Sequence, residues 1–315
     1  MPEFQEYLEN VLINCNRRDH EQVKLGLSQL DELLTKLCVL KYDELIYDEA
    51  AAVRNTKCSL SINERQKSPS ETGLTHGLKT HGLKSQFQRR WKLPKVSDVV
   101  FGEFLCLQDN IQYNVASQLI QIVPFVSTFK ENEPLRVLFR IMQGCFLLHP
   151  PSRNLVTYES KMCVLLDFLS PRYSPQVIEA LIPVLVSSLV RNVPNIRIFE
   201  RLGGPQYLCE LLTYKSDDSN LAVEWKEVQV KVLEFLFFYL IPESQNTEPS
   251  SSSKRPVASK NEKLSSARNH EDGHRRKGTI EKATILNRYL NGEITKGLVA
   301  ELQTSKPFGE MNIEW

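Results

Sequence analysis

The sequence predicts an all-α chain: an armadillo- or HEAT-like helical repeat, a short α-solenoid, carrying a disordered insertion and a C-terminal helical tail. Three observations predict it. Apolar residues recur at helical spacing through most of the chain, without sustained strand-type alternation. Pro134, Pro175 and Pro205 stand where helices begin, the position at which a missing N–H is harmless. The segment from Ser97 to Glu243 also repeats itself at an offset of 43 residues: Phe125, Phe168 and Leu211 align, as do Val126, Leu169 and Leu212, Leu147 and Val190, and Pro151 and Pro194. A period of about 40–47 residues with two or three helices is that of armadillo and HEAT arrays. Each unit of such an array has an apolar face that only a stacked neighbour can bury.

Residues 1–52 supply the N-terminal helices of the repeat domain. Val23, Leu27, Leu30, Leu34 and Leu37, at steps of four and three, draw one apolar stripe along a helix, and a second helix is expected through Tyr42–Ala52. Residues 53–95 break the pattern. They are rich in Ser, Thr, Gly and Lys, repeat THGLK at 75–79 and 80–84, and hold ten Lys or Arg against two Glu. This composition reads as a disordered basic insertion, in which Ser68-Pro69 is a candidate proline-directed phosphosite.

Residues 96–243 form the repeat core. In its last unit Asn195, Phe199, Glu200, Gly203, Gly204, Leu208, Leu211 and Leu212 fit the armadillo pattern, with Gly203-Gly204 permitting a sharp turn between helices. Val228–Leu240 supplies a long third helix, apolar on all sides and therefore expected to be core rather than groove. Residues 244–283 read as a disordered linker and 284–315 as C-terminal docking helices. Ile285, Leu286, Tyr289 and Leu290 share one face, Asn291-Gly292 is expected to stop that helix, and Leu298, Val299 and Leu302 share the next. Helices this short are marginal in water, so the tail should either cap the stack or join a partner surface. The candidate partner-binding residues are Tyr289, Leu290, Leu298, Leu302, Pro307 and Phe308.

Charge and chemistry narrow the function. The formal net charge is +1, with +8 in residues 53–95 and +5 in 249–283, leaving −12 on the remainder. An acidic body with basic polar stretches does not suit a nucleic-acid binder, whose basic charge sits on a folded face. Seven scattered cysteines without CxxC spacing suit a reducing compartment, the cytosol or the nucleus. The start MPEFQEYLEN lacks the features of a secretory leader, and no run approaches the ~18 apolar residues of a membrane span. There is no glycine-rich phosphate loop, HExxH, GxSxG or EF-hand loop. No Cys is followed six residues later by Arg, the spacing of a cysteine-dependent phosphatase. His76 and His81 have no ligand-type neighbours at metal spacing. Asp109 and Asn114 read as turn and helix-start residues, and His149 as a helix end. Cys145 and His149, four apart, could meet but have no third group to orient them. No catalytic, cofactor or metal site and no small-molecule substrate is expected, which leaves a non-enzymatic scaffold that binds proteins.

Six segments carry a more specific likeness: FGEFLCLQDNIQYNVASQLI (101–120), GCFLLHPPSRNLV (144–156), MCVLLDFLSP (162–171), NIRIFERLGG (195–204), VKVLEFLFFYLIPE (230–243) and RYLNGEITKGLVAELQTSKPFG (288–309). Together they resemble the cell division control protein 14 family of the septation initiation network, a fungal family sharing its name but not its chemistry with a dual-specificity phosphatase. The missing C-x5-R loop agrees. The resemblance implies a regulatory subunit that binds a germinal-centre-type Ser/Thr kinase, acts in the cascade that starts septum formation and cytokinesis, and resides in the cytoplasm and at the spindle pole body late in mitosis. NGEITKGL at 291–298 departs from the more hydrophobic turn expected of the family. The alternative is an armadillo-type adaptor for transport or complex assembly without a kinase partner. Such adaptors usually show many regular repeats with Asn ladders and Trp on the groove helix. About three units stand here, and Trp225 precedes the last long helix.

Overall fold

The computed structural model describes residues 2–38, 99–216, 221–243 and 275–305. The helix expected through Tyr42–Ala52, the insertion with Ser68, most of the linker, and Pro307 and Phe308 lie outside the described residues. The chain divides into two compact units, Met1–Asp31 with Phe104–Trp315, and Glu32–Glu103. In the second, the described stretches 32–38 and 99–103 are helical.

Every regular element among the described residues is a helix, and the 43-residue period is a helix triplet. Ahead of the triplets stand α1 (Pro2–Asn16) and α2 (20–38). The first triplet is α3 (Val99–Asp109), α4 (Val115–Val126) and α5 (Glu133–Leu148). The second is a 3-10 helix (Pro150–Thr157), α6 (Glu159–Leu166) and α7 (Pro175–Leu189). The third is α8 (Val193–Arg201), α9 (Gly204–Thr213) and α10 (Ala222–Leu240). The tail holds α11 (Thr279–Leu286) and α12 (Gly292–Ser305).

Local signals explain the boundaries. Asn114 caps α4 by accepting from the Ser117 N–H at 2.9 Å, and Asn192 caps α8 by accepting from Asn195 N–H at 3.1 Å. Pro134, Pro175 and Pro205 do sit in first turns. Between α8 and α9, Gly203 takes φ +80°, and a methyl group on Gly204 would stand 2.2 Å from the Phe199 ring. That pair can only be glycine without rearranging the turn. The predicted stripe on α2 is buried from Val23 to Leu37.

The long third helices form one layer. α7 packs between α5 and α10, while α4 packs on α5 and α9 on α10. The helices of the layer run parallel, as contacts between like ends show. Near the N-terminal ends, the Gln176 amide donates to the Glu224 carboxylate. At the C-terminal ends, Arg153 Nε donates to Phe146 O (2.8 Å) and its Nη1 to Val190 O (3.0 Å). Phe139, Phe146, Phe199, Phe235 and Tyr239 are fully buried in this core, and Phe199 and Phe235 stack with ring centres 5.5 Å apart.

Three expectations need correction. Val228, Val232, Phe235, Leu236, Phe238 and Tyr239 of α10 are core, but Leu233 and Phe237 are only half-buried and Val230 is 52% exposed. The helix packs against α7, α9, α11 and α12, which leaves one row of its surface uncovered. The tail starts earlier than composition suggested. α11 begins at Thr279, because Glu281 turns back to accept from the Gly278 N–H at 3.0 Å and closes the first turn. Finally, α11 ends at Leu286, and Asn291-Gly292 starts the next helix: Asn291 Oδ1 accepts from Glu293 N–H at 3.1 Å, as an N-cap does.

Candidate protein-interaction surface

One cluster has the composition of a catalytic site. Ser152 Oγ lies 2.8 Å from His149 Nδ1, and His149 Nε2 lies 3.0 Å from Asp109 Oδ1. Its geometry is structural. Ser152 is 3% exposed and His149 6%. Asn114 Nδ2 donates to Ser152 Oγ at 2.8 Å, and in the tautomer that places the imidazole N–H at Nε2, facing the acceptor-only Asp109 carboxylate, Nδ1 accepts from the Ser152 hydroxyl. A buried hydroxyl with its oxygen already engaged by an amide is a poor nucleophile. The group ties the end of α3, the start of α4 and the end of α5.

The next repeat shows the same pin in another residue. Asn195, 43 positions after Ser152, donates to Arg153 O and Ser188 O, each at 2.8 Å, and accepts from the Thr157 hydroxyl at 2.7 Å. The repeat register could have identified Ser152 in the sequence as the counterpart of Asn195. The Cys145–His149 pairing weighed from spacing does not form at the side chains, since the imidazole faces Ser152 and Asp109. Burial also pushes the Cys145 thiol up to about 12.

The exposed side of the α5–α7–α10 layer has a different character. The register that maps α5 onto α7 carries Arg140 to Pro183, Gln143 to Val186 and Leu147 to Val190. A shift of 47 carries Glu179, Pro183, Val186 and Val190 on to Lys226, Val230, Leu233 and Phe237 of α10. On each helix these positions lie three or four apart, and all are half-buried or exposed. Because the helices are parallel and in register, the rows share one face. Its N-terminal edge is charged, with Glu179 and Lys226, while Arg140, level with Pro183 and Val230, donates to both oxygens of Asp31. Its C-terminal half is apolar, with Leu147 at 47% exposure and Val230 at 52%, beside Val186, Val190, Leu233 and Phe237. A contiguous apolar face with a charged edge is the make-up of a protein-docking surface.

The tail is fastened at the other side of α10. Glu243 and Lys282 are buried, with Lys282 0% exposed. Glu243 pairs with Arg197 and lies 3.0 Å from Lys282 Nζ, and it accepts from the Lys277 N–H at 2.9 Å. Lys282 also donates to Ile241 O at 2.7 Å. Arg197 pairs with Glu200, which accepts from Lys277 Nζ (2.6 Å) and from the Tyr239 hydroxyl (2.7 Å). Burial holds the Lys282 ammonium below its ordinary pKa, with Glu243 pulling the other way. Burial and the Glu200 carboxylate push the Tyr239 phenol well up, so it stays a donor. Among the candidate tail residues, Leu290 and Leu298 are buried, Leu302 is half-buried and Tyr289 is 40% exposed. None of the cluster's residues was singled out as a site from the sequence.

Among the described residues, no helix is long and apolar enough to cross a membrane. The family model described as "Cell division control protein 14, SIN component" matches residues 4–308. "Cell division control protein 14" of Schizosaccharomyces pombe is 24% identical over 221 residues, covering 66% of this chain and 79% of that protein. No solved structure matches.

Proposed function

The chain belongs to the Cell division control protein 14, SIN component, family, and on that premise we propose that it is a non-catalytic regulatory subunit binding a germinal-centre-type Ser/Thr kinase in the septation initiation network. In this reading it acts in cytokinesis and septum formation, from the cytoplasm and, late in mitosis, the spindle pole body. The observation that carries the binding role is the half-buried to exposed apolar row that α5, α7 and α10 share, on which no other described helix is seen to pack over Leu147, Val190, Val230 and Phe237. Its apolar half, with Leu147, Val190, Val230 and Phe237, suits the apolar side of an amphipathic segment whose anchors recur at i, i+3, i+4 and i+7. The charged edge with Glu179 and Lys226 fixes the direction in which that segment lies.

The reading is tested with the full chain and a co-purified germinal-centre-type kinase. Leu147→Asp and Val230→Asp place a charge on exposed positions. Each should leave thermal stability within about 0.5 kcal/mol of wild type and weaken kinase capture at least tenfold, as losing a buried anchor does. Undiminished capture with both substitutions present would overturn the assignment of this face.

A further inference from the structure

We propose that the cleft between α1 and the α3–α4 turn binds Lys306-Pro307-Phe308-Gly309-Glu310 of a second copy of this chain in an extended form. The contact is separate from the α5–α7–α10 face and is independent of what docks there.

A cleft of about 430 Å³ opens between α1 and the turn that joins α3 to α4. Hydrogen bonds set its walls before anything binds. Asn16 Nδ2 donates to Leu12 O (3.0 Å) and to Gln118 Oε1 (3.1 Å), and Gln118 Nε2 donates to Gln112 O (3.2 Å). Gln5 Nε2 donates to the Tyr113 hydroxyl at 2.8 Å. On the α1 side Glu9, Ile13 and Arg17 line the cleft as one row, with about a turn of helix between neighbours. Glu9 and Arg17 are exposed, neither forms an ion pair among the described residues, and Ile13 is 47% exposed beside the buried Leu12. The row therefore reads anion, apolar, cation.

Helical rise sets the three positions about 6 Å apart along the axis. An extended segment turns every second side chain to one side, about 6.6 Å apart. The complement of the row is thus a segment with a cation, an apolar side chain and an anion at alternate positions, and Lys306, Phe308 and Glu310 are such a set. Pro307 favours the extended form, since its ring fixes φ and keeps Lys306 out of the helical region. With Lys306 at Glu9 and Glu310 at Arg17, Phe308 falls on Leu12 and Ile13, and the backbone of the segment lies towards the Gln112 amide and the Tyr113 hydroxyl on the other wall. The segment comes from a second copy because it starts too far from its own cleft. Phe308 is three residues past Ser305, the end of α12, a reach of about 10 Å. α12 packs on α10, α1 on α4 and α4 on α5, while α7 alone separates the axes of α5 and α10 by about 16–20 Å.

Sedimentation equilibrium of the full chain should show a weight-average mass that climbs with concentration, because each copy offers both a cleft and a segment and a head-to-tail contact need not close at a dimer. Glu9→Lys and Lys306→Glu should each weaken association about tenfold, since like charges then face one another, with melting temperatures unchanged. Both substitutions in one chain should restore association, which a merely structural role of either residue would not do. A synthetic peptide of residues 304–311 should dissociate the oligomer, and the same peptide with Phe308→Ala should not. A chain that stays monomeric at every concentration overturns the proposal, docking within one chain included. So does association that neither single substitution weakens, that the double variant fails to restore, or that the peptide leaves intact.

Discussion

The junction between the first two helix triplets and the junction between the third triplet and the tail are both polar and buried, but they are built from opposite materials. The first uses neutral groups: Asn114, Ser152 and His149 hand hydrogen bonds to one another and to backbone carbonyls, and only Asp109 at the rim is charged. The second uses ions: Arg197, Glu200, Glu243, Lys277 and Lys282 share two carboxylates among three cations. A neutral pin is satisfied locally and tolerates substitution of one amide or hydroxyl by another, as Ser152 and Asn195 at equivalent positions show. An ionic cluster pays a desolvation penalty that its mutual attraction repays only when every member is present. The stack is therefore joined by parts that can vary singly, and the tail by a fastener that holds or releases as a whole.

The strongest way to break that contrast is to remove the carboxylate at the centre of the cluster. Glu243→Gln leaves Lys282 and Arg197 buried with one anion fewer, and breaking a buried pair in this way costs about 3–5 kcal/mol. Urea denaturation of the full chain should show that loss. The double variant Glu243→Gln with Lys282→Met should recover part of it, because the orphaned ammonium is gone. A double variant no more stable than the single one would mean the charges act independently.

The neutral pin should yield less. Asn195→Ala leaves Arg153 O, Ser188 O and the Thr157 hydroxyl without their partner, a loss of about 2–3 kcal/mol. Ser152→Ala should cost about 1–2 kcal/mol, since His149 and Asn114 keep their other bonds. Asn195→Ala costing as much as Glu243→Gln would erase the distinction between the junctions.

The same contrast marks what the sequence made legible. The repeat core was readable because its signals are local and periodic: the α2 stripe, prolines in first turns, the Gly203-Gly204 bend and the 43-residue register each need only neighbouring residues. The tail fastener was not, because its partners lie far apart, Arg197 and Glu243 by 46 positions and Glu200 and Lys277 by 77. Composition then worked against it, since Lys277 and Lys282 sit in a basic polar stretch that reads as linker. The uncovered face was half legible. Periodicity showed α10 to be apolar on every side, but which row stays open depends on where α7, α9, α11 and α12 pack. Val230, Leu233 and Phe237 follow from that arrangement and from no feature of their own.

The smallest effect concerns which junction opens first in the unaltered chain, and two buried thiols report on it. Cys145 lies on α5 beside the neutral pin, and Cys209 lies on α9, against which α11 packs. Burial pushes both thiols up to about 12 from an ordinary value of 9, so neither reacts as thiolate in the closed chain near pH 8. These raised values stabilise the fold fully below pH 9, and that stabilisation is lost as pH climbs from 9 towards 12. At pH 8 labelling by a disulfide reagent therefore measures opening. If the tail releases as a unit while the stack stays folded, Cys209 should label by a partial opening whose rate climbs gently with urea. Cys145 should label only through global unfolding and climb steeply, with the two rates a few-fold apart in water and converging as urea rises. Glu243→Gln should speed Cys209 labelling more than Cys145 labelling, because it weakens the fastener directly. Equal urea slopes at both thiols, unchanged by that substitution, would mean that tail and stack open together despite the different chemistry that joins them.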